Sequence, residues 1–149
     1  LGMHTGLRFK GIVKKEFRGL VKNLMVDRLE WMDIYEHYPQ FEFLRVWAGY
    51  KRSYRIPFGD LVNMPIEWAE DSVKFKPNFE EDTGLWTFQC SLRNDVGTIE
   101  KFFDDIVPRL VEKSIHIERF YEEWSRSQLY EIVDGKVHLS GDDGIWYGI

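Results

Sequence analysis

His116 and Glu118 stand two residues apart in an alternating stretch, which puts both on one face of a strand. An imidazole beside a carboxylate can act as an acid–base pair or as half of a metal site. Arg93 is a third polar candidate, placed where the segment from Tyr54 to Glu67 would meet the sheet. The plainer alternative for His116 and Glu118 is a solvated polar strand face. The four histidines, His4, His37, His116 and His138, share no metal-ligand spacing. The acidic clusters Glu80-Glu81-Asp82, Asp104-Asp105, Glu122-Glu123 and Asp142-Asp143 do not match the calcium-loop pattern. No metal and no other cofactor is therefore expected. Cys90 shares an apolar face with Trp86, Phe88 and Leu92, so it reads as a packing residue and not as a nucleophile. Glycine-rich phosphate loops and the nucleophile-elbow pattern are absent, and no catalytic residue is assigned.

A different chemistry is offered by Tyr121, Glu122, Glu123 and Trp124, with Tyr130 close behind. An aromatic–acidic edge of this kind suits a basic or planar partner. The alternative places Tyr121 and Trp124 in the core with the two glutamates in water. Lys51, Arg52 and Arg55, interleaved with Tyr50 and Tyr54, make a small basic knot that could stack on and neutralise nucleic acid. The net charge of −5 opposes that reading. The charge is uneven: residues 1–60 carry 11 Lys/Arg against 7 Asp/Glu, and residues 61–149 carry 9 against 18. The two parts would attract each other in a folded chain.

The elements that must position these groups form one domain. At 149 residues the chain is long enough to bury a core without disulfides or metals. Its 16% aromatic content disfavours disorder. It has no 18-residue apolar run and no secretory h-region, and its lone cysteine suits a reducing cytosol, so a cytoplasmic protein with no membrane association is expected. Residues 1–6 are set aside from the fold as partly a cloning remnant, with Met3 as the native start.

Leu7, Phe9 and Val13 alternate with basic residues, giving a strand with Gly11 as a bulge site. Phe17 to Tyr35 carries apolar residues at spacings of three and four, which predicts one long helix from Lys15 to Tyr35. Phe41 to Tyr50 reads as a short helix, and Tyr54 to Glu67 as an apolar, irregular excursion over one end of the core. Val73 and Phe75 predict a second strand, joined through an acidic turn to the strand around Trp86–Leu92. A second helix is expected from Thr98 to Lys113, kinked or split at Pro108. A strand from Ser114 should place Ile115 and Ile117 on one face, opposite His116 and Glu118. Asp134-Gly135 between apolar runs predicts a type I′ hairpin. The tail carries Ile145, Trp146 and Tyr147 and is expected to dock. The order strand, helix, strand, strand, helix, strand predicts an α+β, ferredoxin-like split βαβ core. That core has an antiparallel sheet with two helices on one face, an insertion after the first helix and a C-terminal β-hairpin.

Leu85-Trp86-Thr87-Phe88, the helix ending near Pro108, Arg119-Phe120-Tyr121-Glu122-Glu123-Trp124 and Asp134-Gly135 together resemble small ferredoxin-like proteins carried by phages and plasmids. Arg55-Ile56-Pro57-Phe58-Gly59, Met64-Pro65 and Trp68 are similar to uncharacterised Gram-positive prophage proteins. The first resemblance spans residues 85–139. It implies a fold and a mobile-element setting, and no reaction.

The expectation from these residues is a non-catalytic accessory protein that binds another macromolecule, a protein before a nucleic acid, through Tyr121–Trp124 and Tyr130. The alternative is a small-ligand binder or enzyme whose site lies between the 54–67 segment and the sheet, using His116, Glu118 and Arg93. A homo-oligomer joined through a sheet edge is a third expectation.

Overall fold

The computed structural model describes residues 3–148, so Leu1 and Gly2 of the segment set aside lie outside the described residues. The first strand, β1, is His4–Val13, which returns His4, Thr5 and Gly6 to the sheet. After a 3-10 turn the chain forms α1 (Arg18–Met25), α2 (Trp31–His37), α3 (Leu44–Ala48) and α4 (Ile66–Glu70). Then come β2 (Asn78–Glu80), β3 (Leu85–Arg93), α5 (Thr98–Lys101), α6 (Val107–Leu110), β4 (Val111–Tyr121), β5 (Gln128–Val133) and β6 (Lys136–Leu139). The fold is α+β, with one six-stranded sheet in the order β2-β3-β1-β4-β5-β6. Every pairing in it is antiparallel.

Several elements depart from the sequence expectation. The long first helix is two helices, because Arg28 adopts a left-handed conformation and the chain restarts at Glu30. There the Asp33 carboxylate accepts the Glu30 backbone N–H at 3.0 Å and closes a capping box. No Gly or Pro announced this break. Val73–Phe75 is a run of turns after α4 and not a strand; the strand falls at Asn78–Glu80, beyond Pro77. The Thr98–Lys113 helix stops at Leu110, and β4 begins at Val111 in place of Ser114. Its middle, Phe102–Ile106, widens into a π-turn. Pro108 cannot donate to the carbonyl four residues back and would clash with it, and the widened turn resolves both problems.

One face of the sheet carries Leu7, Phe9, Trp86, Phe88, Cys90, Leu92 and Ile117 into the main core. Phe102 sits at its centre, with ring centroids 5.5 Å from Trp47, 6.2 Å from Trp86 and Phe88, and 6.3 Å from Phe9. Helices α1, α2, α3, α5 and α6 all contribute buried residues to this side.

The opposite face is also covered, which the alternating polar residues did not suggest. The segment after α3 first crosses the part of β3 that β2 leaves unpaired. Arg52 donates to the Arg93 carbonyl, Arg55 to the Ser91 carbonyl, and Ser91 Oγ to the Val62 carbonyl. An otherwise open sheet edge is thereby closed. The basic knot is spent here: Arg52 pairs with Asp95 and Arg55 with Asp60. The chain then lays Met64 and Trp68 directly on Gly6, where any Cβ would lie 2.6 Å from the Trp68 ring. No helix among the described residues is long and apolar enough to cross a membrane. The free sheet edges are the three-residue β2 and the short β6.

Candidate functional site

Register assembles the site. Arg8 on β1 stands opposite Gln89 on β3 and Glu118 on β4, and Lys10 stands opposite His116. The β1–β4 register slips between Lys10 and Gly11, where Ile115 is the extra residue of a bulge. The bulge sits beside Gly11 as expected. Its consequence is that Ile115 leaves the face of Ile117 and lines the same cleft as His116.

Glu118 is fully buried, not solvated. Its Oε1 accepts from His116 Nε2 at 2.8 Å, and its Oε2 accepts the Tyr147 hydroxyl at 2.5 Å. Burial pushes the carboxyl up, but hydrogen bonds from His116, Tyr147 and Ser127 outweigh it and hold the group below its ordinary value. Glu118 is therefore an ionised carboxylate inside the protein. Burial pushes the Tyr147 phenol well up, and its bond to Glu118 adds to the shift, so it stays protonated. Tyr147 arrives because the tail docks: Ser127 N–H donates to the Ile145 carbonyl at 2.9 Å, and Tyr147 N–H to the Ser125 carbonyl at 2.8 Å.

Arg8 is 4% exposed. Its Nε donates to Gln89 Oε1 at 2.9 Å, and Gln89 in turn donates to the Trp68 carbonyl at 3.1 Å. The guanidinium lies 4.7 Å from the Trp68 ring centroid and 4.4 Å from that of Phe75. Burial lowers its basicity, while Tyr147, Glu118, Asp71 and Glu67 raise it. Its Nη2 is sealed from solvent and has no hydrogen-bond partner among the described residues.

Above this layer opens a cleft of about 490 Å³. Arg8, Lys10, Lys74 and His116 bring positive or polar groups to it, and Glu67 and Asp71 bring carboxylates. Phe75, Ile115, Ile145, Trp146 and Tyr147 supply the apolar surface. Trp146 is 56% exposed at the rim.

The sequence candidates divide between the two faces. His116 and Glu118 are hydrogen-bonded partners on the cleft side. Arg93 is not with them: it stands opposite His4, four residues along β3 from Gln89, and its side chain is exposed. Tyr121, Trp124 and Tyr130 gather with Arg119, which alternates with Glu118 and so faces the other way. The Arg119 guanidinium lies over the Trp124 and Tyr130 rings, 5.7 and 5.6 Å from their centroids, and Tyr121 meets Trp124 edge-on at 6.0 Å. Tyr130 also packs on Phe103 at 4.9 Å and donates to Gln128. Glu122 accepts the His4 backbone N–H and the Asn63 amide, whereas Glu123 points to solvent.

Arg8, Gln89, Trp68 and Tyr147 were missed from sequence. Arg8 reads as a solvent-facing position in an alternating strand, and Tyr147 only as part of a tail expected to dock, which it does, and not as a site residue. Among the described residues no three His, Cys, Asp or Glu side chains gather as a metal cluster. Chemically, His116 oriented by a buried carboxylate could accept a proton. The cleft lining offers no serine, threonine or cysteine beside it to activate. Cys90 is buried on the core side, where burial pushes its thiol up to about 12. No family model, curated protein or solved structure matches this chain.

Proposed function

We propose that this protein binds a small molecule in the cleft between the α4–tail layer and the sheet. The observation that carries the reading is the buried polar row Gln89–Arg8–Glu118 beneath that cleft. Burying two ionised groups costs several kcal/mol each unless they are paired and hydrogen-bonded, and core packing alone would have been served by apolar residues. A mixed lining of cations, carboxylates and exposed aromatic surface fits ligand recognition, where a few placed polar groups fix orientation on an apolar wall. The test is a small-molecule screen read by melting temperature and tryptophan fluorescence, repeated on Trp146→Ala. Ligands whose effect weakens in that variant support the reading; a broad screen without one removes it.

The scaffold is read as a split βαβ core. The order β2-β3-β1-β4, with helices between β1 and β2 and between β3 and β4, supports it. Helix α1 is then the first core helix, α2 to α4 form the insertion after it, and β5–β6 extends the sheet. A protein partner at the Tyr121–Trp124 edge is the second reading, favoured by the exposed Glu123 carboxylate. It is the weaker one, because Arg119 already covers the aromatic faces and Glu122 is engaged within the chain. A specific partner lost on both Trp124→Ala and Glu123→Lys would favour it over the cleft. The mobile-element setting is kept as part of this second reading and rests on the sequence resemblance alone.

A further inference from the structure

We infer that the cleft recognises a small organic monocarboxylate through Arg8, an identification that rests on the ligand-binding reading above. Arg8 lines the cleft and is buried, yet its hydrogen-bonding is incomplete. Nε is satisfied by Gln89 and the guanidinium faces by Trp68 and Phe75, while Nη2 lacks an acceptor among the described residues. Glu118, the carboxylate across the strand pair, does not fill the gap: its oxygens accept hydrogen bonds from His116 and Tyr147. A buried cation with an unpaired donor calls for an acceptor, and an anionic oxygen makes the strongest such bond. Because Nη2 is sealed from solvent, the carboxylate reaches it by displacing the side chains that close over it. The charge on the ligand is bounded from the other side. Glu67 and Asp71 line the same cleft and Glu118 lies beneath it, so a dianionic phosphate meets repulsion that a singly charged carboxylate meets less. The rest of the ligand is set by Ile115, Ile145 and the half-open Trp146, which give apolar surface to the cleft.

The test uses the full chain and four acids (benzoate, phenylacetate, indole-3-acetate and hexanoate), each against its own primary amide, with phenyl phosphate as the dianion. Tryptophan fluorescence and melting temperature are the readouts. The expected result is at least one acid binding roughly ten-fold or more tightly than its amide, since a charge-assisted bond in a dry site is replaced by a neutral one. Phenyl phosphate should bind more weakly than phenylacetate. Arg8→Gln should abolish the preference for acid over amide. Should that variant not fold, Trp146→Ala on the rim must weaken the acid while leaving its preference over the amide intact. Acids and amides binding alike, phosphate binding best, or no acid binding would each overturn the assignment. In the first two cases the cleft remains a ligand site; only an empty result in the broader screen removes that reading as well.

Discussion

The Tyr147 hydroxyl donates to Glu118 Oε2 at 2.5 Å across 29 residues of chain, tying the docked tail to the centre of the sheet. That bond makes the tail part of the fold. Ser127 Oγ accepts the Ile145 N–H, and Gly144 lies so close to the Ser127 carbonyl that no side chain could stand there. Replacing Tyr147 by Phe should cost about 1.5–3 kcal/mol, the range for a hydrogen bond to a charged group. Urea denaturation measures it, and an unchanged midpoint would mean the tail does not dock as described.

The same pair sets a pH dependence. Glu118 has its carboxyl held below the ordinary value of 4.5, so its contribution is full above that pH and is lost as pH falls through the lowered folded-state value. Tyr147 is raised above its ordinary 10.0, so its contribution is full below pH 10 and is lost as pH rises towards the folded-state value. Stability should therefore fall on both flanks. Glu118→Gln should flatten the acid flank and Tyr147→Phe the alkaline one, measured as denaturation midpoint against pH.

Two glycines should respond to alanine for different reasons. At Gly6 the added methyl meets Met64 and the Trp68 ring, and overpacking of this kind costs about 1–3 kcal/mol. Trimming the neighbour with Trp68→Leu should shrink that cost. At Gly135 nothing lies within 4 Å, but φ is +72°. The penalty there is backbone strain of about 1–2 kcal/mol, indifferent to any neighbour. Double-variant cycles in urea separate the two, with coupling expected only at Gly6.

Cys90 should behave as a reporter of unfolding. It is buried at the β3 core face with its thiol pushed up to about 12. A thiol reagent at mildly alkaline pH should modify it only as fast as the protein opens, accelerating with denaturant. Rapid stoichiometric labelling of the native protein would contradict its placement.

What the chain disclosed depended on whether the determining contact was local. The Asp134-Gly135 turn was legible because both residues need positive φ, which they have at 51° and 72°. The β3 strand and the packing of Cys90 followed from alternation alone. The break between α1 and α2 was hidden, since Arg28 carries the left-handed conformation that Gly usually signals, and an acidic capping box restarts the helix. The second face was hidden for a deeper reason. Arg8, Gln89 and Glu118 alternate as solvent-facing residues do, and only long-range pairing, 81 positions from Arg8 to Gln89 and about 110 from Arg8 to Glu118, with Trp68 and Tyr147 laid on top, makes them interior. His116 and Glu118 were found because two-residue spacing on a strand is local; Arg93 was misplaced beside them because its distance depends on register.

The most direct test of the cleft as the functional site is a ¹H–¹⁵N NMR titration of the labelled protein with hits from the small-molecule screen. The account predicts shift changes concentrated on the Trp146 indole, Ile115, His116 and the Arg8 side chain, with Tyr121–Trp124 unmoved. Changes clustered on Tyr121–Trp124 and Glu123, with the Trp146 indole unaffected, would contradict it.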